Sequence, residues 1–280
     1  MLKKSLITFS ILIAFGYGVA VGNYKVFPYD LLQRATSSFV DTTRHYRDTS
    51  NKHEVPCESI DLSNTMVALA FGQSNSANSA ETRYSPKHSV YNFYNGKCYE
   101  AGDPLLGATG EKGSVWSRLG DMIIEDGMFS NVILVTVGVE GTPISRWTVD
   151  GDLFQRIRNA KTELDAQNIA LTHLFWHQGE TDGKLGTSKN EYKTMFTNML
   201  NGIRQLNIDA PLYLAVATRC RGPIVQEVHD AQLELIQDRN DIFMGANTDT
   251  ISDMDDRYNC CHFSESGIKK HTDLWMQAIQ

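Results

Sequence analysis

Ser74 and His262 are the residues of this 280-residue chain whose settings point most directly to nucleophilic chemistry. The stretch Val67-Ala68-Leu69-Ala70-Phe71-Gly72-Gln73-Ser74-Asn75 is an apolar run of strand length that stops at Gly72, with a serine two residues on. A polar segment without apolar periodicity follows, over 76–88. In an open parallel sheet ligands collect just beyond the carboxyl ends of the strands, so a serine there stands on a rigid base facing a crevice. Turns of the GxSxG kind are a loose precedent. A serine hydroxyl is a poor nucleophile until a base takes its proton. Of the eight histidines, His262 follows a polar loop and precedes Phe263-Ser264-Glu265-Ser266-Gly267, where Ser264 is placed to cap a last helix. His177, ending a strand beside Gln178, is its competitor. Attack on an ester carbonyl builds an oxyanion that needs donors fixed in advance, and the N–H of Ser74 is one. Glu180 and Asp182 raise the alternative of glycoside hydrolysis. Two carboxylates so close on one turn cannot flank a sugar from opposite sides, however.

The elements that would position these groups alternate between strand and helix. Strand-like runs fall at 66–71, 132–139, 171–177, 211–218 and, shorter, 242–246. Between them lie helical stretches: 115–126, a face with Leu153, Ile157, Ala160 and Leu164, a face with Tyr192, Met195, Met199, Ile203 and Leu206, and 224–239. A last helix carries Ile268, His271, Trp275 and Ile279. Such alternation predicts a parallel α/β sheet. Residues 90–94 and 97–100 around Asn95-Gly96 read as a hairpin inserted after the first strand. The polar loops 72–89, 140–152, 178–190, 219–222 and 247–261 then all open on one edge, so motifs far apart in sequence converge.

A hydrophobic content of 41% and charged content of 21% are globular values. A net charge of −7 with no basic run leaves no electrostatic footprint for nucleic acid. At the N-terminus Lys3 and Lys4 precede an uncharged stretch over 5–24. That length suits a membrane-spanning signal-anchor, or a secretory signal peptide cleaved near Gly18-Val19-Ala20. Domains are expected at 1–24 (signal-anchor or signal peptide), 25–65 (juxtamembrane stalk and linker) and 66–280 (catalytic domain). The protein is then exported, either membrane-anchored and facing the periplasm or cell exterior, or secreted. Export permits disulfides among Cys57, Cys98, Cys220, Cys260 and Cys261, two bridges and one leftover thiol being the simplest arithmetic. No CxxC or His/Cys pair stands at zinc-ligand spacing, so no metal or cofactor is expected.

GQSN at 72–75, WHQGETD at 176–182 and CHFS followed by a glycine at 261–267, in that order, resemble the SGNH (GDSL-like) hydrolases, most closely their sialate O-acetylesterase-like carbohydrate esterase branch. The resemblance runs from about Met66 to the C-terminus. It implies a three-layer α/β/α sandwich with a mostly parallel, flavodoxin-like sheet, here preceded by the membrane helix. It also implies Ser74 as nucleophile and His262 as base, with an oxyanion hole of Ser74, Gly141 and Gln178. Read from the residues themselves, Glu180 holds the loops from behind the site, and Arg146 and Trp147, on the same loop as Gly141, are either substrate contacts, a planar ring stacking on a sugar face, or part of the core. The family more often has two glycines at the second block, where this chain has Glu140 then Gly141. The acidic partner normally lies three residues before the histidine, and that position is Asn259: either its amide oxygen accepts from the imidazole without supplying a charge, or Asp253, Asp255 or Asp256 in the same loop substitutes. A cysteine directly before the histidine implies a Cys220–Cys261 bond and leaves Cys260 as the odd thiol. The implied activity is removal of O-acetyl groups from a carbohydrate through an acyl-enzyme. Transfer of acetyl to an envelope polysaccharide and non-catalytic carbohydrate binding are the alternatives.

Overall fold

The near-continuous apolar runs need cover on both faces, and in the computed structural model, which describes residues 45–280, they form the middle of one sheet. Its strands are β1 (Glu54–Val55), β2 (Thr65–Gly72), β3 (Val90–Tyr94), β4 (Lys97–Glu100), β5 (Asn131–Thr136), β6 (His173–His177), β7 (Leu212–Val216) and β8 (Ile242–Asn247). They are hydrogen-bonded in the order β1-β4-β3-β5-β2-β6-β7-β8. The pairs β3–β5, β5–β2, β2–β6, β6–β7 and β7–β8 are parallel, whereas β4 is antiparallel to both β3 and β1. The predicted hairpin is present. Asn95 (φ 50°) and Gly96 (φ 73°) supply the two positive φ angles its turn needs, and β3 joins the sheet alongside β5.

Helices α1 (Val115–Glu125), α2 (Phe154–Ala166), α3 (Glu180–Leu185), α4 (Lys189–Gln205), α5 (Gln226–Asp238) and α6 (Glu265–Ile279) flank the sheet. Alternation along β2, which is buried at every position, sorts its side chains onto two faces. Met66, Ala68 and Ala70 share a core with Trp116 of α1, Phe175 of β6 and Trp275 of α6. The alanines leave room for the tryptophans, and Trp116 stacks on Phe175 with centroids 5.3 Å apart. Phe71 turns to the opposite face against Trp147 and Trp176 (6.1 and 4.9 Å), and Trp176 meets Phe196 of α4. Each such ring, fully buried, contributes roughly 1.5–3 kcal/mol. The result is three layers with helices on both faces.

From β2 the chain reaches β5 on one side and later β6 on the other. The carboxyl end of β2, where Ser74 follows, is therefore the point at which strand order reverses, the usual place for a ligand crevice.

Two expectations are corrected. Residues 45–64, read as linker, belong to the folded unit: Tyr46 N–H donates to Ala108 O (2.7 Å), β1 pairs with β4, and Cys57 is bonded to Cys98. The polar composition hid this because the anchors are backbone bonds and one disulfide. The segment 178–190, read as loop, contains α3. The anchor at 1–24 and the part of the stalk before residue 45 lie outside the described residues. Among those described, no helix is long and apolar enough to cross a membrane.

At the β2 terminus Gly72 has φ +123°, and a Cβ there would lie 2.2 Å from the His177 carbonyl oxygen. Gly72→Ala should therefore lower stability by roughly 2–4 kcal/mol in urea unfolding. An unchanged midpoint would show that the two strand ends are not this close.

Candidate active site

After Gly72 the chain makes one 3₁₀ turn, Ser74–Ser76. Gln73 fixes its start: its N–H donates to His177 O (2.9 Å), and its Oε1 accepts from Thr181 N–H (3.0 Å). Asn75 donates from Nδ2 to Glu180 Oε1 (2.7 Å), and Ser76 O accepts the Trp116 indole N–H (2.9 Å). Ser74, held between them, is 4% exposed. Among the described residues neither its hydroxyl nor its N–H donates to any protein group. That combination, a fixed backbone and an uncommitted hydroxyl, is what a nucleophile requires.

His262 is positioned by a turn that sequence alone could only outline. Cys261, just before it, is bonded to Cys220 in the loop after β7, and Cys260 is the free, exposed thiol. Buried Arg257 donates to Cys261 O and to Thr248 O and Ile251 O (3.2 and 3.3 Å). It also lies over the Phe263 ring at 4.5 Å. Ser264 caps α6, accepting from Gly267 N–H (3.3 Å). Asn259 is the group on the imidazole. Its Oδ1 accepts the backbone N–H groups of His262 (2.9 Å) and Cys261 (3.3 Å), and its Nδ2 faces His262 Nδ1 at 2.8 Å. A flipped amide would set an NH₂ against two N–H donors, so the amide donates to Nδ1. Nδ1 is then an acceptor and Nε2 carries the proton, the tautomer that cannot take one from serine.

The neighbouring aspartates do not substitute. Asp253 accepts from Asp255 N–H (3.0 Å), Asp255 is exposed, and Asp256 is held by Lys270 and Ser266 (2.6 and 2.8 Å). Among the described residues none of the three hydrogen-bonds to His262. Of the candidates Asn259, Asp253, Asp255 and Asp256, it is Asn259 that the structure sets against the His262 ring.

Gly141, with φ +67° and open space where a Cβ would stand, is exposed on the loop after β5, and its N–H donates to no protein group among the described residues. Gln178 does not fit the oxyanion role. It is wholly buried, its Nε2 donates to Asp182 Oδ2 and Thr142 O, and its Oε1 accepts from Tyr192 O–H (3.0 Å). Both amide protons are spent in the interior. Arg146 and Trp147 are not substrate contacts either. Arg146 is buried and paired with Asp152, its Nε 2.9 Å from Oδ1. Trp147 has no exposed surface and donates to Thr142 Oγ1 (3.1 Å).

Glu180 stands where a loop-holding group should. Burial pushes its carboxyl up, but hydrogen bonds from His177 and Asn75 outweigh that and keep it below its ordinary value. Sequence reasoning missed Asp182, whose Oδ2 accepts Ile144 N–H (2.8 Å) and so ties the Gly141 loop to α3. Its carboxyl is pushed up by burial. The signal was present, a second acid in an otherwise short polar turn. His177 is excluded as a base: it is wholly buried, with Nδ1 3.2 Å from His271 Nε2 and Nε2 3.3 Å from Glu180 Oε1.

Ser74 and His262 are brought to one edge without a hydrogen bond between them. Their loops are stitched by Tyr258 O–H to Ser79 O (3.0 Å) and Glu81 N–H to Phe263 O (2.9 Å). Burial pushes the His262 imidazole below its ordinary value, opposed by the charges of Glu140 and Glu180.

The sheet thus sets an uncommitted serine at its switch point, with a histidine on a facing loop. The chain belongs to the family of carbohydrate esterases described as sialic acid-specific acetylesterases, whose profile matches residues 64–278. It is accordingly a carboxylic-ester hydrolase acting on acetylated carbohydrate. A search of curated proteins gives no match. Among solved structures it is similar to a protein from Arabidopsis thaliana at 16% identity, covering 77% of this chain and 95% of that one, TM-score 0.62. It is also similar to NanS at 14% identity, covering 79% and 98%, TM-score 0.56. A carbohydrate esterase family 3 protein from Talaromyces cellulolyticus matches at 11% identity, covering 76% and 96%, TM-score 0.51. These likenesses establish the fold.

Asn259→Asp should raise kcat/KM on an acetyl ester by roughly tenfold or more, because a carboxylate accepts from Nδ1–H and restores the useful tautomer. The reverse change in a serine protease triad costs about 10⁴. Unchanged or lower activity would contradict the tautomer assignment.

Proposed function

We propose that this chain is an exported carbohydrate O-acetylesterase in which Ser74 attacks the acetyl carbonyl and His262 carries the proton. The observation that supports it most is the Ser74 turn, buried and fixed on both sides, whose hydroxyl and N–H are both uncommitted. The N–H groups of Ser74 and Gly141 receive the oxyanion, and Gln178 acts behind them by holding Thr142 and Asp182. His262 changes tautomer, takes the Ser74 proton and returns it to the departing sugar hydroxyl. Water, activated by the same imidazole, then releases acetate from the acyl-serine. Two disulfides support an oxidising compartment, in keeping with an export signal in residues 1–24. The domain of this proposal is 66–280, together with the residues from 45 that pack on it.

Ser74→Ala should reduce hydrolysis of an acetylated chromogenic ester by at least about 10³-fold, while the urea midpoint moves by less than about 1 kcal/mol, since no hydrogen bond is lost. Activity within about tenfold of the parent would remove Ser74 from the mechanism.

A further inference from the structure

His262 lacks a carboxylate at its Nδ1, yet a base that becomes an imidazolium in the transition state needs negative charge nearby. Asn259 is neutral and donates, and among the described residues none of the three aspartates of its loop hydrogen-bonds to His262. We propose that Glu140 supplies this charge, acting as a positioning and electrostatic residue for His262 through Ser79 and Tyr258. This rests on the esterase reading above.

Glu140 opens the loop that carries Gly141. Its N–H donates to Thr109 Oγ1 (2.8 Å), and its Oε1 accepts from Ser79 Oγ (2.6 Å). Ser79 O in turn accepts from Tyr258 O–H (3.0 Å). The Tyr258 ring packs on the His262 ring, centroids 6.1 Å apart at 33°. The carboxylate is thus fixed through a chain of contacts that ends on the imidazole. Its second oxygen makes no hydrogen bond, and no cation pairs with it among the described residues, so its charge is not neutralised at source.

The other charges facing His262 are arranged differently. On α3, Glu180 is already paired with His177, and Lys184 opposes an imidazolium. On the histidine's own loop Arg257 opposes it as well. Lys112 lies over the outer face of Tyr258 at 4.5 Å. Glu140, by contrast, makes no ion pair among the described residues, and its charge favours the imidazolium. Its position has a cost, because a carboxylate next to Gly141 opposes the oxyanion held by that N–H. The gain must therefore come at the proton-transfer step.

The test is a cycle of Glu140→Gln and Asn259→Asp, read as kcat/KM against pH on an acetyl ester. In the otherwise unaltered chain Glu140→Gln should move the acid limb down by about 0.5 pH unit or more and lower the plateau roughly three- to tenfold. In the Asn259→Asp background the carboxylate at Nδ1 supersedes it, and the same change should cost less than about twofold. No shift, equal costs in both backgrounds, or a rise in activity would overturn the proposal. Glu140→Asp, which keeps the charge, should recover part of the loss, and no recovery would count against it. The His262 titration followed by NMR in Ser74→Ala, with and without Glu140→Gln, needs no turnover. A downward shift there supports the electrostatic role even if the esterase reading failed, and an unmoved titration sinks it even if that reading stands.

Discussion

The turn between β6 and α3 is the constraint on which the site depends. Gly179 has φ +154°, and a Cβ on it would lie 2.1 Å from Ala217 O and 2.5 Å from Gln232 Nε2, so the chain passes where no side chain fits. From that pinned point two buried acids reach into two other loops. Glu180 takes Asn75 beside the nucleophile, and Asp182 takes Ile144 N–H on the loop of Gly141. Gln73 closes the circuit by accepting from Thr181 N–H. Three loops that meet nowhere in sequence are thereby fixed by a handful of buried hydrogen bonds, those to the two carboxylate groups being of the stronger, charge-assisted kind when ionised. The site is rigid because its supports lie in the low-dielectric interior, where losing a partner leaves a buried charge unpaired.

Proton accounting in that interior explains which histidine is available. Trp275 Nε1–H donates to His271 Nε2 (3.0 Å), so that nitrogen is an acceptor and His177 Nδ1 must bring the proton across their 3.2 Å contact. His177 Nε2 faces Glu180 Oε1 at 3.3 Å, deep in the interior. His271 is held far below its ordinary value by burial and stays neutral. His177, wholly buried between His271 and Glu180, therefore has neither nitrogen to offer a substrate. His262, half-buried with Nε2 unbonded, is the histidine left to act.

Much of this was legible beforehand because it rests on patterns of short range. Continuous apolar runs and the face of α4 need only periodicity, and Asn95-Gly96 needs only turn chemistry. The pairing of Cys220 with Cys261 followed from the resemblance. What was not legible depends on direction. Arg146 and Trp147 occupy the loop of Gly141, but their side chains turn inward to Asp152 and Thr142, which position in a loop does not reveal. Gln178 has the right chemistry at the right strand end, yet Tyr192 and Asp182 claim its amide first. Helix α3 is too short and too polar to show a period, and residues 45–64 are bound by backbone contacts that composition cannot register. The Asn259 question needed atoms, because the orientation of its amide is set by two backbone N–H groups and not by its identity.

Covalent capture of the acyl-transfer serine tests the central claim most directly. Treating the protein with an ester-mimicking fluorophosphonate and mapping the adduct by mass spectrometry should place one label on Ser74. The label should fall away in His262→Ala, since without its base the hydroxyl is not activated. A label on another serine, or undiminished labelling without His262, would contradict the account.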